Sequence, residues 1–112
     1  MTPNKAIEKV DRLKPNSYSD EDKLGWINEL DGMVQRLVFQ QEEDVTQYVY
    51  PDDLDKELLI PAPYDDAYAL FLEAKIDYYN REYGNYNNSA MMFEAQFSEY
   101  KKDYIRKHQA RG

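Results

Sequence analysis

The sequence predicts an all-α domain. It should be a small antiparallel bundle of about four helices, the last two a long αα-hairpin, with an extended excursion between helices 2 and 3 that has room for one or two short strands. Two observations carry this reading. Apolar residues recur at spacings of three and four through four separate stretches, and each stretch is bounded by residues suited to capping or stopping a helix. At 112 residues the chain is expected to form one domain, 1–112, around a single modest core.

Thr2 before Pro3 reads as an N-cap with proline at the first helical position. Ala6, Ile7, Val10 and Leu13 follow as one apolar stripe that Pro15 ends. For helix 2, Ser19 caps the run Asp20, Glu21, Asp22, whose carboxylates favour the positive end of the helix dipole. Leu24, Ile27, Leu30, Val34, Leu37 and Val38 then hold one face through roughly residue 41, with Trp26 and Met33 on its shoulder as candidates for a second contact. From 42 to 63 the helical period fails. VTQYVYP alternates like a strand and ELLIPAP is a short apolar run closed by two prolines. So long a connection in so small a domain is often functional.

Helix 3 is expected from near Tyr64 to Tyr83. Ala67, Phe71, Ala74 and Tyr78 form one apolar line, and Tyr68, Leu72, Ile76, Tyr79 and Tyr83 a second, with a polar wedge of Asp66, Glu73, Asp77 and Asn80. An apolar arc this wide belongs to a central helix whose tyrosine rings bury. Gly84 supplies the stop, and Asn85, Asn87 and Asn88 serve the turn and the next helix start. Helix 4, roughly 87–107, carries Tyr86, Ala90, Phe93, Phe97, Tyr100 and Tyr104 as a heptad-like seam for antiparallel packing on helix 3.

Composition narrows the functional classes. Charged residues make up 32% and aromatics 14%, a balance too aromatic for a disordered chain. A net charge of −8 argues against a domain whose main task is to grip nucleic acid, because phosphate contacts need clustered cations. The absence of cysteine removes disulfides, thiol catalysis and cysteine zinc sites. The charged N-terminus and the lack of a long apolar run predict intracellular synthesis with no membrane partner.

No nucleophile elbow, phosphate loop or dinucleotide fingerprint occurs, and His108 has no nucleophile near it in sequence, so no enzyme and no cofactor are expected. Among the acidic clusters, Asp52, Asp53 and Asp55 stand out because they lie in the excursion; a solvated acidic surface is the leading explanation over a metal site, no metal is expected, and the three are candidate partner contacts. Tyr48 and Tyr50 are candidate partner contacts beside them. The basic end, Lys101, Lys102, Arg106, Lys107 and Arg111, reads either as cations complementing a helix C-terminus or as a tail, 105–112, docking on an acidic partner or on DNA phosphate.

With these motifs placed, KPNSYSDEDKLGWINELDGMV followed by ELLIPAPYDDAYALFLEAKIDYYNREYGNYNNSAMMFEAQFSEY resembles head–tail connector (head-completion adaptor) proteins of bacteriophages and prophages of Gram-positive hosts. The resemblance is densest over LIPAPYDDAY and the tyrosine/asparagine hairpin. It implies a small helical subunit whose copies form a homo-oligomeric ring on the portal. That ring would extend the DNA channel without specific DNA binding and present a platform to the downstream tail-completion protein. The implied locations are the host cytoplasm during assembly and then the virion. The alternative is a non-enzymatic, prophage-encoded interaction or regulatory module acting through the Trp26–Met33 shoulder or the tyrosine hairpin.

Overall fold

In the computed structural model, which describes residues 1–109, helices form wherever the apolar period is helical. They are α1 (Pro3–Leu13), α2 (Asp20–Met33, continued by a π-helical turn over Val34–Val38), α3 (Asp66–Tyr79) and α4 (Tyr83–Lys107). No strand is present among the described residues. The two expected N-caps close as read: Thr2 Oγ1 accepts from the Lys5 amide at 3.2 Å and Ser19 Oγ from the Asp22 amide at 3.0 Å.

α3 lies at the centre. It runs antiparallel to α4, as Phe71–Phe93 and Tyr64–Tyr100 ring contacts at 5.1 and 6.0 Å show. It is also antiparallel to α2, with Glu29 paired to Lys75 at 2.9 Å and Trp26 stacked on Tyr79. α1 lies parallel to α3, tied at one end by Lys9–Asp66 and at the other by Lys14–Asp77. Val10, Leu30, Val34, Ile60, Leu72 and Ile76 are fully enclosed between these layers. The α4 seam packs as its spacing predicts, with Phe93, Phe97 and Tyr100 buried.

The excursion is extended but finds no strand to pair with. Its partner is a stripe of polar side chains on α2. The Asn28 carboxamide accepts from the Tyr48 amide at 2.7 Å and donates to the Tyr48 carbonyl at 3.1 Å. One level along, Gln35 does the same for Thr46, at 2.8 and 3.0 Å. Two carboxamides on one helix face thus satisfy alternate residues of an extended chain, as a neighbouring strand would. Between them sits Asp31, fully buried, which accepts from the hydroxyls of Tyr48 and Tyr68 at 2.5 Å each and from the Leu59 amide at 3.2 Å. Tyr68 in turn accepts from the Ile60 amide at 2.8 Å. The apolar run that follows plugs Leu58 and Ile60 into the core.

Four expectations are corrected. Leu37 is exposed: the π-helical turn, closed by Phe39 N–H on the Val34 carbonyl at 3.0 Å, spreads more residues over one turn and rotates Leu37 outward while Gln35 turns in. Leu13 is also exposed, at the lip of an open hollow between α1 and α4 lined with Met92. Asp77 is no part of a solvated wedge. It is fully buried, with Lys14 Nζ 2.5 Å from Oδ1 and the Ser89 hydroxyl donating to Oδ2 at 2.8 Å.

The fourth correction concerns the hairpin. α3 stops at Tyr79 and α4 already begins at Tyr83, so Gly84 lies inside α4 and the turn is made by Asn80, Arg81 and Glu82. Arg81 takes the left-handed conformation at φ 60° that usually falls to glycine after a helix. Arg81→Gly is therefore expected to stabilise the protein by about 0.5–1 kcal/mol, since it removes the Cβ clash of that conformation at some cost in chain entropy. A higher urea midpoint with an unchanged m-value checks it.

Candidate functional site

The early turn leaves the tyrosines of the hairpin outside the core. Tyr78, Tyr79 and Tyr83 are 51, 52 and 55% exposed, against the expectation that their rings bury. The reason is register. At the end of α3, the core positions nearest the turn are taken by Ile76 and by Asp77 with its lysine, so the last two residues face outward.

These rings are not scattered. Tyr18 meets Trp26 edge-on at 5.5 Å, and Trp26 stacks on Tyr79 at 5.7 Å with planes 11° apart. Tyr79 touches Tyr78 at 5.3 Å, and Tyr78 reaches Tyr86 at 5.5 Å and Tyr83 at 6.4 Å. Six aromatic side chains from α2, α3, α4 and the segment before α2 thus form one continuous belt around the hairpin end. The Tyr18 hydroxyl anchors it by donating to Asn80 Oδ1 at 2.7 Å.

Below the belt a groove of about 580 Å³ runs between α3 and α4, floored by Phe71, Ala74 and Phe93 and walled by Met33, Tyr78 and Tyr86. It continues past Met33 and Phe71 into a shallower hollow that reaches Val45. Glu94 stands exposed on the rim, and the rim cation Lys75 is held by Glu29 at 2.9 Å. Aromatic faces with outward hydroxyls suit association with another macromolecule: they supply large rigid apolar area, hydrogen bonding at the edge and π-faces for cations.

Of the residues singled out in the sequence, Trp26 and Met33 do join in this one place. Tyr48 lies elsewhere and is half-buried on Asp31. Tyr50 is exposed at a separate small hollow on α2 beside Glu21 and Asn28. Asp53 closes a turn, accepting from the Val49 amide at 2.7 Å, Asp55 accepts from Asn4 Nδ2 at 2.9 Å, and Asp52 is exposed. Among the described residues, no three acidic or histidine side chains converge as a metal-binding set.

The basic end is helical through Lys107, so residues 105–107 belong to α4. Lys102 lies 3.7 Å from Glu99, and Asp103 pairs with Arg106 at 2.5 Å and Lys107 at 3.0 Å. Lys101 lies over the Phe97 ring at 5.3 Å. Arg111 falls outside the described residues.

Sequence reading did not single out Phe71 as a site residue, and it offered the hairpin tyrosines only collectively, as the surface of the alternative reading. For Tyr78, Tyr79 and Tyr83 the available signal of exposure was tyrosine itself, since rings meant for full burial are more often phenylalanine or leucine.

Comparison of the chain with protein-family models, with characterised proteins and with solved structures finds no match. The fold and site therefore define the protein as a small all-α bundle with an exposed aromatic belt. No helix among the described residues is long and apolar enough to cross a membrane.

Proposed function

We propose that the chain is a virion-assembly subunit of the head–tail connector kind, which joins the portal as a ring, and that the aromatic belt with its groove is a surface used in that assembly. The observation that carries the reading is the belt itself. Contiguous exposed aromatic area on a small protein is the mark of a surface completed by a partner. The resemblance of the LIPAPYDDAY approach and the hairpin to connector proteins supports the choice of partner. The same segment leads directly into α3, whose last turn carries two of the belt tyrosines. The net charge of −8 suits a channel wall past which DNA slides without being gripped.

The test is to mix the protein with its cognate portal and follow assembly by native mass spectrometry and electron microscopy. Rings on the portal are expected. Tyr78→Ser with Tyr83→Ser, two half-exposed positions, should lower recruitment at least tenfold while shifting the unfolding midpoint little, because surface changes typically cost about 0.5 kcal/mol or less. A protein that stays monomeric in the presence of the portal sinks the connector reading and leaves a helical interaction module serving another partner.

A further inference from the structure

The extended segment beside α2 uses only one of its two edges. In an extended chain the N–H and C=O groups of successive residues point to opposite edges. Thr46 and Tyr48 aim both groups at α2, where Gln35 and Asn28 pair with them. The N–H and C=O groups of Val45 and Gln47 therefore face away from the helix, and among the described residues they have no hydrogen-bonding partner. The free edge ends at Val49, whose amide donates to Asp53 Oδ2 at 2.7 Å and whose carbonyl accepts from the Asp53 amide at 2.8 Å. Two donors and two acceptors thus stand at the two-residue repeat of a strand edge, open to pairing by another chain.

Charge along this edge has one sign. Upstream, the exposed Glu42, Glu43 and Asp44 stand against a single guanidinium, that of Arg36, which is held on the Gln41 and Glu42 carbonyls at 3.1 and 2.9 Å. Downstream, a hollow of about 230 Å³ sets Glu21 beside Tyr48 and Tyr50, with no cation among its walls. Gly25 lies in that hollow, and a Cβ there would meet nothing within 4 Å, so a long side chain has room to lie over it.

We propose that this edge takes up an extended segment of a partner protein flanked by lysine or arginine, which adds to it as a strand. Val45 and Gln47 would exchange main-chain hydrogen bonds with the incoming segment. One basic side chain would lay its stem on the Tyr48 and Tyr50 rings and its cation at Glu21, while others meet the carboxylates of 42–44. A second copy of this chain is the wrong occupant. Antiparallel pairing centred on Gln47 would bring Glu42 onto the Asp52 turn of the other copy, like charge against like. This docking is independent of the connector reading.

The probe is a short synthetic peptide alternating valine with lysine. It is compared by NMR with the same peptide methylated at every backbone nitrogen, and with one carrying glutamate for lysine. The lysine peptide is expected to slow amide exchange at Val45 and Gln47 tenfold or more, and its binding should weaken with added salt. Methylation removes the donors and keeps the charge, so it should weaken binding at least tenfold, and the glutamate peptide should not bind. Gln47→Ala should bind as the parent does, because the contact is made by main chain. Gln47→Pro deletes an outward N–H and leaves Thr46 and Tyr48 bonded to α2, so it should lose binding with an unchanged urea midpoint. The methylated peptide carries the same comparison should Gln47→Pro unfold.

Equal binding of the methylated peptide, or of a folded Gln47→Pro, shows attraction of charge alone and overturns the added strand. So does unchanged exchange at Val45 and Gln47 up to millimolar lysine peptide. Exchange at these amides that slows as the protein alone is concentrated makes a second copy the occupant and overturns the choice of partner. A protein that binds the peptide through this edge yet never joins the portal upholds the edge while the connector reading falls.

Discussion

Asp31→Ala is expected to destabilise the protein by about 3–5 kcal/mol, the range for breaking a buried charged hydrogen-bond cluster. Three donors lose their acceptor together: the hydroxyls of Tyr48 and Tyr68 and the amide of Leu59. Tyr68 is fully buried, so the cost there is the full desolvation penalty. Because those donors come from both ends of the excursion and from α3, the loss should release residues 46–60 from α2 as a unit, seen as early amide exchange at Thr46, Tyr48 and Leu59.

Asp31→Asn should cost less, about 1–2 kcal/mol. The amide oxygen can still serve Tyr48 and Leu59, but its NH₂ must face Tyr68, whose hydroxyl already accepts from the Ile60 amide and then loses its own acceptor.

The pH dependence separates the two protonation states. Burial pushes the Asp31 carboxyl above its ordinary value of 3.8, against the opposing pull of the Tyr48 and Tyr68 hydroxyls and the Leu59 amide. A carboxyl whose folded pKa is raised binds its proton more tightly in the native state. Its contribution to stability is therefore most favourable below 3.8 and declines as pH rises through the raised folded value. The deficit of Asp31→Asn relative to the parent should accordingly be largest in acid and narrow toward neutral pH. A deficit that instead widens with pH shows that the carboxylate, not the acid, is the stabilising form.

Asp31 also marks where sequence reading stopped. The caps at Thr2 and Ser19 and the α4 seam were legible because each is a local pattern: a side chain three residues from the amide it caps, or rings repeating along one face. The partnership of Asn28, Asp31 and Gln35 with the excursion is not local. Those three polar residues share a helix face, but nothing in their spacing announces that an extended segment eleven to twenty-eight residues onward needs acceptors there. The strand-like alternation of VTQYVYP was correctly extended, and its partner was hidden because it is a helix. The candidate site was half legible for a related reason. Trp26 and Met33 were visible as a shoulder seven residues apart, while the exposure of Tyr78 and Tyr79 depended on where α3 ends. Gly84 looked like the stop, yet the turn fell at Arg81, because Asp77, Lys14 and Ser89 fix the crossing of α1, α3 and α4 before glycine is reached.

That junction yields the second large effect. Lys14→Met keeps the aliphatic stem and removes the ammonium, leaving the enclosed Asp77 carboxylate with the Ser89 hydroxyl alone. An uncompensated buried charge of this kind costs about 3 kcal/mol. Asp77→Asn should cost only about 1 kcal/mol, since the amide still accepts from Ser89 and the partly exposed lysine can turn to Glu82, already 3.4 Å away, or to water. In the double variant the penalties should not add. With the carboxylate gone, loss of the lysine matters little, and a coupling energy of about 3 kcal/mol is expected from the cycle.

The asymmetry has a pH signature. The Asp77 carboxylate holds the Lys14 pKa above its ordinary 10.5, against the effect of burial and with help from Glu82. Its stabilisation is fully present below 10.5 and is lost as pH rises through the raised value, so the parent should lose stability in strong alkali more steeply than Lys14→Met. The consequence reaches the surface. Asp77 and Ser89 set how α4 leaves the hairpin, and the belt spans that hairpin from Tyr79 to Tyr83 and Tyr86. Lys14→Met should therefore weaken portal recruitment even at temperatures where the chain is still folded, while Lys9→Met, which cuts the tie to the opposite end of α3, should leave recruitment unchanged. Equal effects of the two would show that the belt is not positioned through the buried carboxylate.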